Sequence, residues 1–361
     1  MKDTYSIAVF DGDGIGPEIM APTIALLARM AQDGGYAFDF THVPAGAAHY
    51  AQTGEALPAA SLETARKADA ILLSAMGLPS VRYPGGTEIS PQIDLRMELA
   101  LFAGVRPVRL FPGLPSPLTL PEGKSVDFVL IRESTEGLFY SQGRGEVEPN
   151  EARETLRITR GVSEQLFRFA FDLAHQRKAA GQGPGKVTCV DKANVFRAFA
   201  FFREIFDAEA AKHPDLVADH AYVDAMALWF VLRPWDFDVL VTENMFGDIL
   251  SDLGAGLMGG LGFAPSADIG ENHAVFQPCH GSAPDIAGQG VANPMAMVLS
   301  AAMMLDWLGL RHDAPAMRRD ADRLRAAVED VLARGVVRTP DLGGAASTAD
   351  TVAAIAEALT P

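Results

Sequence analysis

Short apolar runs alternate along the chain with longer segments in which apolar positions recur every three to four residues. The short runs are rich in β-branched and aromatic residues and predict strands, at 6–10, 38–43, 70–74, 126–131, 187–191, 221–223 and 237–242. The longer segments predict helices, the first opening at Pro17 and later ones lying at 162–178, 195–212, 226–232, 246–257, 294–310, 316–333 and 348–359. Alternating strands and helices predict an α/β architecture with a largely parallel sheet.

The segments between these runs include two with a distinctive composition. Residues 107–121 are rich in proline, which excludes a helix and predicts an extended connection. Residues 146–154 are acidic, and two readings stay open: a solvated loop, or an arm that pairs with a second subunit.

Composition and charge narrow the class of protein. The 361 residues favour two domains or one large one, and 48% are hydrophobic, so a large core is expected. The net charge of −16 argues against nucleic acid and anionic membrane surfaces as partners, since both select for clustered Lys and Arg. Cys189 and Cys279 are too few for a disulfide framework and predict reduced thiols in a cytoplasmic protein.

Two further features of the chain bear on targeting. The N-terminal segment lacks the apolar stretch of a signal peptide because acids interrupt it at once. The longest apolar stretch, at 295–305, is far shorter than the ~20 residues that span a bilayer. We therefore expect no membrane segment.

The sequence FDGDGIGPE at 10–18 nearly matches a dinucleotide-binding fingerprint. Gly12 and Gly14 fit the G-x-G-x-x-G pattern, but Pro17 takes the third position and Gly16 comes one residue early. The pattern therefore argues against a Rossmann site and predicts a tight turn from strand to helix, with proline in the first turn.

Carboxylates in two neighbouring segments are candidate metal ligands. Asp248 and Asp252 are four residues apart and share one helix face. Either a hard divalent cation such as Mg²⁺ or Mn²⁺ holds them together, or they lie on a solvated face near a helix start. Asp224, predicted at the end of a strand, would supply a third carboxylate.

Basic residues near predicted strand ends suggest recognition of an anion. Arg96, Arg106 and Arg132 lie in or beside such ends, and Arg grips carboxylates in a bidentate manner. Lys192 follows a strand and is either a surface residue or, beside a carboxylate, a group tuned for proton transfer. The loop 280–294 has no apolar period, which is typical of a functional or mobile segment.

The motifs FDGDGIGPE, LRMELALFAGVRP, RESTEG, DKANV, YVDAM, TENMFGDILSD and HGSAPDIAGQGVANP occur in this order. Together they resemble the β-decarboxylating dehydrogenases, the family of isocitrate, 3-isopropylmalate, homoisocitrate and tartrate/D-malate dehydrogenases. The resemblance implies an isopropylmalate-dehydrogenase-like two-lobed α/β subunit that is not a Rossmann fold. One lobe would comprise 1–101 plus 259–361 and the other 102–258.

The family also implies an assembly. The active site would lie in the cleft between the lobes and be completed by a second subunit, so a homodimer is expected, with 148–160 as its clasp. Whether dimers pair into tetramers stays open.

The resemblance carries roles to individual residues. It implies Arg96, Arg106 and Arg132 as ligands of the substrate carboxylates, with Ser90 and Gln92 facing the C3 substituent. It implies Asp224, Asp248 and Asp252 as Mg²⁺ or Mn²⁺ ligands, Asp224 coming from the partner subunit, and Lys192 with Asp224 in proton transfer. It implies a cofactor site formed by Ile15, Asn194, His280, Gly281, Ser282, Ala283, Asp285, Ile286 and Asn293.

These roles imply an enzyme that oxidises and decarboxylates a 3-substituted malate, of the 3-isopropylmalate, tartrate/D-malate, isocitrate or homoisocitrate class. Asp285 and Ile286 stand where relatives that use NADP carry lysine and tyrosine. A carboxylate accepts from a ribose 2′-hydroxyl and repels a 2′-phosphate, so NAD is the expected cofactor.

The sequence departs from the family pattern at the catalytic tyrosine. Phe139 occupies that position and has no proton to give, and Tyr140 follows it. On an extended segment neighbouring side chains face opposite ways, so Tyr140 would substitute only if the backbone shifts. Two alternatives therefore stand beside decarboxylation: a non-catalytic binding paralogue, and oxidation of a 2-hydroxy acid without loss of CO₂.

Overall fold

The structure is a computed structural model that describes residues 2–114 and 116–360. Within this part of the chain, a mixed sheet of ten strands runs through the centre in the order β2-β1-β3-β12-β11-β4-β5-β10-β8-β9, and β6 and β7 form a separate hairpin. The strands are β1 (Thr4–Phe10), β2 (Ala37–His42), β3 (Ala70–Leu73), β4 (Ala103–Arg109), β5 (Asp127–Glu133), β6 (Glu146–Glu148), β7 (Glu151–Arg153), β8 (Lys186–Asp191), β9 (Val217–Tyr222), β10 (Val239–Thr242), β11 (Pro265–Ile269) and β12 (Ala274–Pro278).

Helices cover the sheet. They are α1 (Gly16–Gly34), α2 (Ala47–Thr53), α3 (Ala59–Lys67), α4 (Pro91–Glu98), α5 (Arg160–Ala179), α6 (Arg197–Ala210), α7 (Val223–Leu232), α8 (Asn244–Leu257), α9 (Met295–Arg311), α10 (Pro315–Arg334) and α11 (Thr348–Ala358). No helix among the described residues has the length and hydropathy needed to cross a membrane.

The predicted strands lie where the apolar runs indicated. β3, β8 and β10 are short β-branched runs whose residues are almost all buried, as expected for strands packed on both faces. Parallel pairing joins β1 to β2 and β3 on one side, and β5, β10, β8 and β9 on the other. The α/β expectation is thus confirmed.

The centre of the sheet differs from the expected parallel arrangement. β11 pairs in antiparallel fashion with both β12 and β4, and β4 pairs likewise with β5. β4, β11 and β12 were not predicted, and the expectation that 107–121 is wholly a connection is wrong at its start. Pro107 fits within β4 because the ladder to β11 ends at Val105, so the missing N–H breaks no pairing on that side.

The order of the strands follows the path of the chain. On one side of the contact between β11 and β4 lie β1, β2, β3, β11 and β12, which come from both ends of the chain. On the other side lie β4, β5, β8, β9 and β10, from its middle. Since the sheet is continuous across this line, the division into lobes at 1–101 plus 259–361 and 102–258 stays a prediction.

The glycines of the FDGDGIGPE motif serve a close meeting of backbones. Gly12 and Gly14 have φ of 81° and 57°, in the left-handed region that favours glycine. A Cβ at Gly12 would lie 2.1 Å from the carbonyl oxygen of Ala75, and one at Gly14 would lie 2.0 Å from that of Ser282. The turn after β1 therefore requires glycine to bring the segments around 75 and 282 against it.

The acidic segment at 146–154 folds back on itself. β6 pairs with β7 in antiparallel register, and every residue of both strands is exposed. The hairpin is therefore a projecting arm in shape, while its pairing with a second subunit stays a prediction.

Candidate functional site

A polar cavity of about 260 Å³ lies against the centre of the sheet. Its walls carry three arginines (Arg96, Arg106, Arg132), three carboxylates (Glu88, Asp248, Asp252), and the side chains of Gln92, Gln277, Cys279 and His280. We refer to this cavity as the arginine cleft. An anionic ligand is the chemistry that three convergent guanidiniums recognise.

Three different elements supply the arginines. Arg106 lies on β4 and Arg132 on β5, whereas Arg96 lies in the last turn of α4. The expectation that all three lie in or beside strand ends is therefore wrong for Arg96, because the short segment at 91–98 was not recognised as a helix. All three are buried, with 8%, 6% and 4% of their surface exposed for Arg96, Arg106 and Arg132.

Arg132 is held by α8. Its Nε and Nη2 donate to Oδ1 of Asn244 at 2.9 and 2.7 Å, and its Nη1 donates to Asp248. Gly247 packs on its stem, where a Cβ would lie 2.7 Å from the Arg132 Cβ. Burial, with the nearby Arg96, lowers the pKa of Arg132 to about 10, so the guanidinium stays charged at neutral pH.

Asp268 on β11 is a residue of the site that sequence reasoning missed. Its carboxylate accepts from Arg96 Nε at 3.0 Å and from Gln277 Nε2 at 2.6 Å, and it lies 3.6 Å from Arg106 Nη2. Burial opposes its charge, but the facing arginines outweigh burial and hold the pKa of Asp268 below its ordinary value. The available signal was an aspartate within the apolar run FAPSADI, which had not been recognised as a strand.

Asp248 and Asp252 lie together at the rim of the cleft. Glu243 caps α8, since its side chain accepts from the N–H groups of Met245 and Phe246, and the two aspartates follow one turn apart. Burial, and then the neighbouring Asp248, raise the pKa of Asp252. Two like charges so close are a place where a cation would relieve repulsion.

Lys192 and Asp224 form a separate pair outside the cleft lining. Lys192 Nζ lies 2.6 Å from Asp224 Oδ1, and this hydrogen bond lowers the pKa of Asp224. Asp224 lies in the first turn of α7 rather than at a strand end as expected, because β9 stops at Tyr222. Within residues 2–114 and 116–360 of one chain, no three His, Cys, Asp or Glu side chains are grouped to hold a metal.

The loop expected to hold a cofactor packs on the turn after β1. The N–H of Ile15 donates to the carbonyl of Ser282 at 2.8 Å, and the Ser282 hydroxyl donates to the carbonyl of Gly77. Ala283 has φ of 36°, an unusual value for alanine. Gly281 and Asp285 are exposed, and Ile286 is half-buried on the same loop.

His280 ends the strand side of this loop and faces the cleft. Burial lowers its pKa, its Nδ1 lies 3.0 Å from the carbonyl of Gly281, and its buried Nε2 has no partner among the described residues. Asn293 instead holds the start of α9, since its Oδ1 accepts from the N–H of Met295 at 3.0 Å. Asn194 is exposed close to Lys192, away from this loop in sequence.

Phe139 and Tyr140 lie in a 3₁₀ turn, Leu138–Ser141, so the extended segment assumed for them is wrong. The Phe139 ring lies 5.3 Å from the guanidinium carbon of Arg132. The Tyr140 ring lies instead against Arg157, whose guanidinium carbon is 3.7 Å from the ring centre. The residue without a hydroxyl therefore faces the arginine of the cleft.

Gln92 and Ser90 have different surroundings. Gln92 lines the cleft, and its buried Oε1 has no hydrogen-bond donor among the described residues. Ser90 precedes α4, lies outside the lining, and its hydroxyl donates to the carbonyl of Glu88 at 3.4 Å.

Comparison with known proteins gives a consistent picture. Residues 6–358 match the isocitrate/isopropylmalate dehydrogenase family model. The 3-isopropylmalate/3-methylmalate dehydrogenase of Methanocaldococcus jannaschii is 43% identical over 345 residues, 95% of this chain and 96% of that protein. The 3-isopropylmalate dehydrogenase of Aquifex aeolicus is 40% identical over 347 residues, covering 94% of this chain and 91% of that protein.

Solved structures agree with these matches. The crystal structure of isocitrate dehydrogenase from Methylococcus capsulatus superposes with a TM-score of 0.86 at 36% identity, covering 99% of this chain and 100% of that one. The expected fold class, a mixed α/β fold that is not a Rossmann fold, is confirmed.

Proposed function

The chain belongs to the isocitrate/isopropylmalate dehydrogenase family, and on that premise we propose that it catalyses the NAD-dependent, Mg²⁺- or Mn²⁺-dependent oxidative decarboxylation of a 3-substituted malate. As a member of the family it is an enzyme, an oxidoreductase that acts on a hydroxy acid. The substrate is a 3-substituted malate of the 3-isopropylmalate, tartrate/D-malate, isocitrate or homoisocitrate class, of which the last two carry a third carboxylate.

The observation that carries the proposal is the convergence of Arg96, Arg106 and Arg132 on one cavity. Three guanidiniums buried together repel one another, and burial with its arginine neighbours already lowers the pKa of Arg132. An anionic ligand offsets this repulsion. The carboxylates of a diacid match the fork of donors that each guanidinium presents.

Asp248 and Asp252 fit a divalent cation at the rim of the same cavity. Burial, and then the neighbouring Asp248, raise the pKa of Asp252, and hard cations prefer oxygen ligands of this kind. The bound metal would polarise the hydroxyl and carboxylate oxygens of the substrate. Two carboxylates from one chain leave room for Asp224 of a second copy.

A homodimer with shared sites is supported by an uncovered apolar face. On α7, Leu228, Val231 and Leu232 are 56%, 50% and 58% exposed, and Ile249 on α8 is 63% exposed. Large apolar side chains grouped on neighbouring helices are typical of a protein–protein interface. A second copy covering this face would bring its own Lys192–Asp224 pair toward the arginine cleft.

Lys192 and Asp224 have the geometry for proton transfer. Their hydrogen bond of 2.6 Å lowers the pKa of Asp224 and so favours its ionised form. A lysine held in this way exchanges a proton with a substrate hydroxyl once both lie within hydrogen-bond reach.

The loop 280–286 is the proposed NAD site. The hydrogen bonds between Ile15 and Ser282 and between Ser282 and Gly77 hold the loop against the start of α1. Asp285 is exposed and free to accept from a ribose hydroxyl, and its charge disfavours a 2′-phosphate. Bound NAD⁺ would supply the hydride acceptor.

Oxidation without decarboxylation is the second candidate, and Phe139 favours it. The ring that faces Arg132 carries no hydroxyl, so the side chain at the family's acid position cannot protonate carbon after CO₂ is lost.

We further propose the lobes 1–101 plus 259–361 and 102–258 as the bodies that flank the cleft. Two free cysteines favour a cytoplasmic location.

The test is a panel of 2-hydroxy diacids with NAD⁺ and Mn²⁺, in which NADH and CO₂ are both measured. We expect near-equal amounts of the two products with at least one diacid, and loss of turnover with a chelator. NADH without CO₂ supports the second candidate, and no NADH with any diacid contradicts both.

The matched variants are Asp252→Asn and Asp322→Asn. Asp252 lines the cleft, whereas the Asp322 side chain is 81% exposed on α10. We expect only Asp252→Asn to raise the Mn²⁺ concentration needed for half-maximal activity. An equal effect of the two variants contradicts the metal assignment.

A further inference from the structure

We propose that Asp268 is a positioning and selectivity residue, which fixes Arg96 and Arg106 behind the cleft and whose charge restricts the site to ligands with two carboxylates. The inference rests on the proposed function, since it narrows the proposed substrate classes to those with two carboxylates. It concerns a residue outside the cleft lining, reached only through its neighbours.

Asp268 contacts side chains from several elements behind the cleft. The Oδ2 atom of Asp268 accepts both Arg96 Nε, at 3.0 Å, and Gln277 Nε2, at 2.6 Å. The Oδ1 atom lies 3.6 Å from Arg106 Nη2 and accepts the Ser134 hydroxyl at 3.3 Å. One carboxylate thus links α4, β4, β12 and the residue that follows β5 behind the cleft.

The side chain of Asp268 is almost completely buried. The Asp268 side chain is 1% exposed, and an ionised carboxylate so deep is tolerated only when cations and hydrogen bonds compensate it. Gly104 makes room for it, since a Cβ there would lie 3.1 Å from Oδ1 and 2.6 Å from the Ser134 oxygen. The position is therefore built for a charged group and admits no larger neighbour.

The contacts with Asp268 leave other donors of Arg96 and Arg106 unused. Arg96 donates only its Nε to Asp268, and its two terminal nitrogens have no acceptor among the described residues. Besides the 3.6 Å approach of its Nη2 to Asp268, Arg106 has one weak contact, from Nη1 to the carbonyl of Val105 at 3.5 Å. Asp268 therefore orients both guanidiniums from behind and keeps their outer donors directed to a ligand.

The charged side chains around the arginine cleft balance one another. The three arginines of the cleft face Asp248 and Asp252 at the rim and Asp268 behind. The fourth carboxylate, Glu88, pairs with Arg82, so positive and negative charges are equal in number. The divalent cation and the diacid of the proposed function bring opposite charges of equal size. A third carboxylate on the ligand would leave the closed site with an uncompensated negative charge.

The surroundings of the cleft point the same way. The buried Oε1 of Gln92 is an acceptor without a donor, and Glu88, which pairs with Arg82 at 2.6 Å, adds a carboxylate to the same wall. A third carboxylate would lie close to the like charge of Glu88 there. A neutral C3 substituent avoids this repulsion, and one with a hydroxyl also donates to Gln92 Oε1.

The experiment measures binding rather than turnover, so it is independent of the reaction assay. The probes are glutarate and tricarballylate, which share a three-carbon chain and differ by one central carboxylate. Their dissociation constants are measured by calorimetry on the wild-type protein with Mn²⁺ present. We expect the wild-type protein to bind tricarballylate no more tightly than glutarate, and a tenfold preference for tricarballylate overturns the proposal without any variant.

Asp268→Asn removes the charge and keeps the hydrogen bonds. Its amide oxygen accepts from Arg96 and Gln277, and its NH₂ donates to the Ser134 hydroxyl, so the fold is expected to survive. We expect tricarballylate to gain about tenfold in affinity over glutarate in this variant, because each carboxylate of the ligand now meets one more unpaired positive charge. Equal changes for the two ligands reduce Asp268 to a structural role and overturn the selectivity.

Asp238→Asn is the matched control. Asp238 is buried, pairs with Arg177 Nε at 2.7 Å, and lies outside the cleft lining. We expect the ratio of the two dissociation constants to stay at its wild-type value. A shift in this control equal to that of Asp268→Asn also overturns the proposal.

Discussion

Two buried ion pairs beside the same sheet, Arg177–Asp238 and Arg96–Asp268, have similar distances and opposite uses. Arg177 donates Nε to Asp238 at 2.7 Å, and its Nη2 also bonds Asp127 and the carbonyl of Gln182. Asp238 completes its own bonding with the N–H groups of 185 and 186. Arg96 has one such partner, and its other donors are open to the cleft.

An arginine of a binding site differs from one in a structural ion pair in how many of its donors are used within the protein. A buried pair such as Arg177–Asp238, in which Nε and a terminal nitrogen of the arginine donate to several groups of the protein, holds segments together. A buried arginine with unused donors carries a cost of burial that a ligand removes. The degree of satisfaction, and not the distance within the pair, separates the two cases.

The largest expected effect comes from breaking the satisfied pair. Arg177→Ala leaves Asp238 buried without its cation, which costs about 3–5 kcal/mol of unfolding free energy. Chemical denaturation measures the loss. Arg168→Ala, an exposed position on the same helix, is the control and should stay within about 0.5 kcal/mol of wild type. A loss under about 1 kcal/mol for Arg177→Ala would contradict the comparison.

The open arginines should respond in the reverse way. Arg106→Gln removes a ligand contact, and we expect kcat/KM to fall about 100-fold, equivalent to ~2.7 kcal/mol, with a smaller change in stability than Arg177→Ala. Steady-state kinetics on the active diacid measures it. Arg109→Gln, on the same strand but 46% exposed at the surface, serves as control. Equal kinetic losses would mean that Arg106 does not bind the substrate.

Glu133 is a buried carboxylate that, unlike Asp238 and Asp268, has no cation among its hydrogen-bond partners in the described part of the chain. Burial raises its pKa from 4.5 to about 7, so the native state binds this proton more tightly than the unfolded state. The resulting stability is full below about pH 4.5 and is lost as the pH rises to about 7, on the order of 3 kcal/mol.

Glu133→Gln should remove this part of the pH dependence, since the amide does not titrate. Unfolding free energies measured at several pH values between 4.5 and 7 give the slope. Glu146→Gln on the exposed hairpin is the control. The interpretation is wrong if wild type and Glu133→Gln have parallel profiles.

The smallest expected effect concerns the ring that faces Arg132. Phe139→Tyr adds a hydroxyl near the cleft, and we expect a rise of about two- to fivefold in CO₂ release if protonation of carbon limits the rate. Tyr140→Phe should change little, because the Tyr140 ring lies against Arg157. Loss of activity in Tyr140→Phe would instead identify Tyr140 as the acid.

The sequence by itself determined the elements whose signal is local. β8 and β10 are apolar runs, and α8 carries Asp248 and Asp252 one turn apart. These strands and this helix can be predicted from the sequence because strand and helix periods are properties of neighbouring residues. The ordered motifs likewise predicted the family, which the matches confirm.

Only the tertiary structure decided which side chains meet and which donors stay unused. β11 was missed because Pro265, Ser266 and Asp268 interrupt its apolar run, and α4 was missed because eight residues carry little of a helical period. The pairing of Asp268 with Arg96, 172 positions apart, follows from strand order in the sheet, which no local pattern encodes. The orientations of Phe139 and Tyr140 depended in the same way on a turn set by long-range packing.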